Sequence, residues 1–223
     1  MISPAFVVAI DGPAGSGKGT LAHRLAERFG LAHLDTGALY RATAFLVLGE
    51  AGDPADPATA EAAASRVDPR LLADPRLRDD DVAAAASLVA AIPAVRAALL
   101  NWQRDFATDP PGSAKGAVLD GRDIGSVVCP AADVKLFITA SAEERARRRV
   151  EELRQRGTAA IFEDVLEDLK ERDARDSERC AAPLGAAPGA IVIDTTTLDA
   201  DAVFELTSAL IGRALKEKEW QQQ

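Results

Sequence analysis

Aromatic side chains are scarce in this sequence, 4% of the whole, so Ala, Val and Leu must fill any core, and such cores favour helices and buried parallel strands. Cysteine is nearly absent. Cys129 and Cys180 stand far apart with no CxxC spacing, which excludes a disulfide framework and a zinc site and leaves two reduced, buried or partly buried thiols. The histidines, His23 and His33, show no ligand spacing and join no Ser/His/Asp constellation; neither is given a role. No apolar stretch approaches the ~20 residues that span a bilayer. The apolar opening at residues 1–10 lacks a basic leader and runs straight into Asp11 and a glycine loop, so it reads as a buried strand and not as a signal peptide. A cytoplasmic location without a membrane partner is the expectation. Positive charge is also in deficit: a formal charge of −9 opposes encounter with nucleic-acid polymers and anionic surfaces. An anionic small molecule must therefore be met by local cations.

What is present is an ordinary globular composition, 48% hydrophobic and 27% charged over 223 residues, enough for one core carrying inserted lobes. Ala5 to Ile10 reads as a strand, followed by a glycine-rich turn and a helix patterned on Leu21, Leu25 and Phe29, closed by Gly30. Leu31 to Leu34 reads as a second strand and Gly37 to Leu48 as a helix, an alternation that signals an α/β fold. From Gly52 to Asp81 the texture changes to Asp-Pro pairs, a peripheral lobe. Val82 to Ala91 and Pro93 to Phe106 look helical, Ala117 to Leu119 and Val134 to Ile138 look like buried strands, and Ser141 with Glu144 reads as a capping box opening a helix. Phe162 to about Arg179 forms another helix, Ala190 to Ile193 a last strand, and Asp199 to Lys218 a closing amphipathic helix. No fixed-period repeat is present.

Gly12-Pro13-Ala14-Gly15-Ser16-Gly17-Lys18-Gly19-Thr20 follows a strand and opens a helix, the context of a phosphate-binding loop. Its glycines let N–H groups turn toward phosphate oxygens, the helix start favours an anion, and Lys18 can reach the β and γ phosphates. The strict pattern wants Ser or Thr directly after the lysine; here Gly19 intervenes before Thr20. Thr36 and Arg41 follow the second strand, where ligands dock in open parallel sheets; they suit a second phosphate, or else a helix cap and a surface arginine. Asp120-Gly121-Arg122-Asp123 follows the third strand and suits Mg2+ or a substrate, or else a plain Asp-Gly turn. Arg145 to Arg149, and Arg172, Arg175 and Arg179 on one helix face, supply the cations that phosphoryl transfer requires.

Gly12 to Thr20, Leu34 to Arg41, Ala86-Ser87, Val95-Arg96, Asp120 to Gly125 and Glu171 to Arg179, in that order and across nearly the whole chain, resemble the bacterial cytidylate kinase family of P-loop nucleoside-monophosphate kinases. The resemblance implies a five-stranded parallel sheet flanked by helices, with a core of residues 1–50, 107–150 and 186–223, an acceptor-binding insertion at about 51–106 and an arginine lid at about 151–185. It implies transfer of the γ-phosphoryl of MgATP to CMP or dCMP by a monomer, with Lys18, Arg122, Asp123 and Arg172 central to the chemistry. Thr36, Arg41, Arg122 and Arg172 would hold the acceptor phosphate; Tyr40 and Asp176 would face its sugar. Ser87, Arg96 and Asp123 would read cytosine with Arg179 close by, and Arg145 and Arg149 would flank ATP. Independently, a carboxylate suits the cytosine amino group and an arginine its acceptors. The family often carries a short antiparallel sheet before the Ser87 segment, whereas residues 53–81 are brief and rich in Pro and Ala, so a reduced or partly helical lobe is expected. Another small-molecule P-loop kinase and a nucleotide-binding module without turnover are the alternatives.

Overall fold

The computed structural model describes residues 5–179 and 182–221; Cys180 lies outside them. Five strands, β1 (Phe6–Asp11), β2 (Ala32–Asp35), β3 (Gly116–Gly121), β4 (Val134–Thr139) and β5 (Ile191–Asp194), form one sheet in the order β2-β3-β1-β4-β5. Every pairing is parallel. Because side chains alternate along a strand, Val8 and Ile10 of β1 face one side, packing with Leu21 and Leu25 of α1 (Lys18–Phe29) and Ile211 of α8 (Ala200–Gln221). Ala9 faces the other side with Leu34, Leu119 and Ile124.

The helices open and close where the chain supplies caps. Gly30 ends α1 in the left-handed conformation and its N–H returns to the Ala26 and Glu27 carbonyls. Asp35 accepts from the Ala38 N–H at 3.2 Å and so starts α2 (Thr36–Gly49). The Asp-Pro lobe is helical, with no sheet among its described residues. Asp56 caps α3 (Pro57–Ala64), and Asp68 and Asp74 cap two 3-10 turns, each with Pro in the first turn. This lobe packs with α4 (Asp80–Val89) and α5 (Pro93–Thr108) around Leu39, Val89, Val95 and Leu99.

Two local expectations are corrected. Ser141 Oγ accepts from the Glu144 N–H at 3.2 Å to open α6 (Ala142–Gln155), but the return half of a capping box is missing. The Ser141 N–H goes instead to Thr196 Oγ1, and Glu144 pairs with Arg147 and Arg148. Secondly, α7 (Phe162–Ser177) presents Arg172 and Asp176 inward but leaves Arg175 exposed, so Arg172, Arg175 and Arg179 do not share one face. The helix stops before Arg179, which turns back to pair with Asp176. A single π turn at Ile124–Val128, unforeseen in the sequence, follows β3. Leu169 of α7 and Ala146 of α6 seat on Ala14 of the glycine loop, fixing both helices over the carboxyl ends of the strands. No single helix among the described residues is long and apolar enough to cross a membrane.

Candidate active site

The glycine loop leaves β1 with no room for a side chain. A Cβ on Gly12 would stand 2.0 Å from the Ile138 carbonyl oxygen, while Gly15 and Gly17 adopt positive φ. Lys18 begins α1, buried, with Nζ donating to the Pro13 carbonyl at 3.0 Å. Burial, then the nearby Arg122, holds its ammonium pKa well below the usual lysine range, against the pull of Asp120. Ser16 Oγ is buried without a hydrogen-bond partner.

Three carboxylates end three adjacent strands and have different fates. Asp11 accepts from the Ile124 and Gly125 N–H groups at 2.7 and 2.8 Å, and burial pushes its pKa up to about 6. Asp35 would be raised by burial, but the Arg41 guanidinium at 2.6 Å holds it below the usual carboxylate range. Asp120 has His33 Nε2 at 2.7 Å, and its backbone carbonyl accepts from Thr36 Oγ1 at 2.8 Å.

A cavity of about 320 Å³ opens above these strand ends. The structure brings to its wall Lys18, Thr36, Tyr40, Arg41, Ser87, Arg96, Arg122, Asp123, Arg172, Asp176 and Arg179, drawn from six separate stretches of sequence. Arg96 pairs with Asp123, and its guanidinium lies 5.6 Å from the Tyr40 ring centroid. Arg122 Nε donates to Asp176 Oδ2 at 2.8 Å, with Arg179 on the other carboxylate oxygen. Burial, reinforced by neighbouring arginines, pushes Arg172 down to about 9 and Arg179 to about 10. Ser87 Oγ and the Nε atoms of Arg41, Arg172 and Arg179 are buried without partners. Unmatched buried donors and crowded positive charge are what an absent anion would relieve.

Gly15, Gly19, Thr20 and Arg149 line a second cavity beside the first, where Arg149 reaches Asp80 of α4 at 2.7 Å. Ser16, Gly17 and Thr20 line a third of about 330 Å³, closed by Arg148, Thr195 and Leu198. Arg145 departs from its expected placement. Its guanidinium is spent on the Ala140 and Ala14 carbonyls and on Asp173 at 2.7 Å, outside all three linings. It braces the glycine loop from behind. Sequence reasoning gave no role to Asp11, His33 and Thr195, and named Arg148 only among the cations of its helix; of the first three only Asp11 carried a signal, as a charge closing an apolar strand.

A family model described as cytidylate kinase matches residues 8–213. The chain belongs to the cytidylate kinase family. It is 56% identical over 206 residues to the cytidylate kinase of Paramagnetospirillum magneticum, covering 92% of this chain and 97% of that one. To that of Rhodospirillum rubrum it is 56% identical over 205 residues, 92% of this chain and 95% of the relative. To that of a Methylobacterium species the figure is 61% over 185 residues, 83% and 86%. A solved structure of an uncharacterized protein from Eubacterium ventriosum superposes with a TM-score of 0.52 at 16% identity, covering 93% of this chain and 98% of that one, a likeness of fold. Membership in the family makes the chain a kinase of small-molecule nucleotides with ATP as phosphate donor, and sets aside the module without turnover.

Proposed function

We propose that this kinase transfers the γ-phosphoryl of MgATP to CMP and dCMP, giving CDP and dCDP by in-line displacement. The observation that carries the reading is one cavity whose wall brings Ser87, Arg96 and Asp123 together with Arg41, Arg122 and Arg172, a base reader and a phosphate clamp for one nucleotide. Residues 51–106 act as the acceptor-binding insertion and 151–185 as the lid on the remaining core.

Thr36, Arg41, Arg122 and Arg172 hold the acceptor phosphate, and Tyr40 and Asp176 face the sugar. Asp123 accepts from the cytosine amino group while Arg96 meets the ring acceptors and Ser87 donates its unmatched hydroxyl, with Arg179 alongside. Uracil reverses the polarity at position 4, so Asp123 rejects UMP. The attacking atom is an anionic phosphate oxygen and needs no strong base. Catalysis is positioning plus charge neutralisation by Lys18, Arg122 and Arg172.

ATP lies along the glycine loop, its phosphates on backbone N–H groups of the loop between Ala14 and Thr20, with Arg149 at the lid. The third cavity, beside Arg148, Thr195 and Leu198, suits its base. Two oxygen donors fit a hard cation here: the Thr20 hydroxyl, and the Asp120 carboxylate, whose Oδ2 lies 3.7 Å from where a Cβ on Gly19 would stand. Few protein oxygens are needed because Mg2+ keeps several waters. When bound it would neutralise charge developing between the β and γ phosphates. All assigned residues come from one chain, so a monomer suffices, working where the cytoplasm supplies both nucleotides.

The test is ADP production with MgATP against CMP, dCMP, UMP, AMP and GMP, for wild type and Asp123→Ala. Strong CMP and dCMP activity, weak UMP activity and loss in the variant are expected. Activity with UMP or AMP but not CMP would overturn the acceptor assignment.

A further inference from the structure

The segment that carries Arg122 and Asp123 is gripped at both ends of one turn by charged side chains with no place in the chemistry described above. The Ile124–Val128 π turn is anchored on Asp123, whose carbonyl accepts from the Val127 and Val128 N–H groups at 2.9 and 3.2 Å. At the start of the turn, the N–H groups of Ile124 and Gly125 both donate to the Asp11 carboxylate. At its end, the carbonyls of Val127 and Val128 accept from the Arg104 guanidinium of α5 at 3.0 and 3.2 Å. An acid thus meets exposed N–H groups and a cation meets exposed carbonyls, the arrangement that the peptide dipoles favour.

The turn has little freedom between these grips. A Cβ on Gly125 would stand 3.2 Å from Ala187 Cβ and 3.4 Å from Asp11 Oδ2. Asp11 is only 3% exposed, and burying a carboxylate without a cation on it is costly. Asn at this position would accept one N–H and aim an amide donor at the other. Both oxygens are therefore used, and what they hold is Ile124 and Gly125, the residues that directly follow Arg122 and Asp123.

We propose that Asp11 and Arg104 are positioning residues for acceptor recognition: together they clamp the turn that sets Asp123, and through it Arg96, at the place where the base is read. The inference rests on the acceptor reading given above. It assigns neither residue a contact with substrate.

The charged and titratable groups facing Asp11 are Lys18 of α1, Arg122 and Asp123 beyond β3, and the Cys129 thiol after the turn. Lys135 of β4 is near, but its ammonium is turned onto the Pro188 carbonyl. With Asp11 raised to about 6, the clamp is ionised and complete at pH 8 and loses an acceptor at pH 5.5. The acceptor phosphate itself titrates near pH ~6, so wild type is compared with Asp11→Asn, in which that shared titration cancels.

The experiment is steady-state kinetics of Asp11→Asn, Arg104→Met and Arg104→Lys from pH 5.5 to 8.5, with CMP and ATP varied separately. At pH 8 the first two variants raise the KM for CMP about fivefold or more, the worth of one lost hydrogen bond or slightly over, and leave the KM for ATP within about twofold. Arg104→Lys recovers part of the loss. The ratio of kcat/KM for CMP, wild type over Asp11→Asn, shrinks as pH falls through about 6. Equal effects on CMP and ATP, or a ratio flat with pH, would overturn the proposal. If the clamp variants keep a wild-type KM for CMP while Asp123→Ala loses cytosine selection, the clamp fails and the acceptor reading stands. If Asp123→Ala keeps selection, the acceptor reading itself fails. Should Asp11→Asn not fold, the Arg104 variants, at an exposed residue, decide the matter.

Discussion

Arg122 Nε donates to Asp176 Oδ2 at 2.8 Å, joining the carboxyl end of β3 to the inner face of α7. Asp176 is 1% exposed and carries Arg179 on its other oxygen, so one carboxylate balances two guanidinium groups. Asp176→Ala takes from both their hydrogen-bonded carboxylate, and a loss of ~3 kcal/mol in urea unfolding is expected. Saturating CMP, whose phosphate supplies negative charge, recovers part of it. Full retention of stability without ligand would contradict this account.

Ser87 offers the opposite case. Its Oγ is buried and makes no hydrogen bond, so Ser87→Ala removes nothing the empty protein uses. The unfolding midpoint should stay within ~0.5 kcal/mol of wild type, while the KM for CMP rises about fivefold. A variant that lost stability and kept its KM would mark Ser87 as part of the core.

The crowding that holds Arg172 at about 9 and Arg179 at about 10 is relieved by phosphate and not by sugar or base. Thermal scans should therefore separate CMP from cytidine. At a hundredfold excess over its Kd, CMP adds ~2.7 kcal/mol, roughly 5–10 °C for a chain of this size; cytidine at the same concentration moves Tm little.

Lys18 titrates below the ordinary lysine range in the empty enzyme, and kcat/KM for ATP reports the free enzyme. An alkaline limb is expected in that profile as pH rises through the lowered value and the ammonium loses its charge. Lys18→Met should remove the limb and lower kcat by about a hundredfold or more.

Two glycines give contrasting outcomes. Gly12→Ala drives a methyl into the Ile138 carbonyl at 2.0 Å, a backbone atom that cannot step aside, and is expected to abolish the folded phosphate loop. Gly49, at the last turn of α2, has nothing within 4 Å of where a methyl would stand and no positive φ. Gly49→Ala should stabilise by ~0.5–1 kcal/mol in the same assay.

Much of this was readable in the chain because the signals are local. The apolar runs of β1, β3 and β4 each stop at a polar turn, Gly30 stops a helix, and the Asp-Pro pairs are the caps of short helical turns. What escaped depends on partners far away in sequence. Arg145 and Arg172 look alike on paper; one is consumed by the Ala14 and Ala140 carbonyls and the other faces the cavity because of how α6 and α7 cross. Arg175 is spaced like its neighbours but points outward. His33 gained its place only through Asp120 on the adjacent strand. The π turn has no composition of its own, since its shape is held by Asp11 and Arg104 from two other elements.

The strand order has a consequence for the chain during synthesis. β1 is the first strand to be made, yet it sits between β3 and β4, whose pairing with it begins at Gly116 and Val134. A ribosome adding about 5–20 residues per second leaves Val8 and Ile10 without either neighbour for roughly 5–20 s. A nascent chain halted ahead of Gly116 would spell out every letter of the phosphate loop and still have no floor to lay it on.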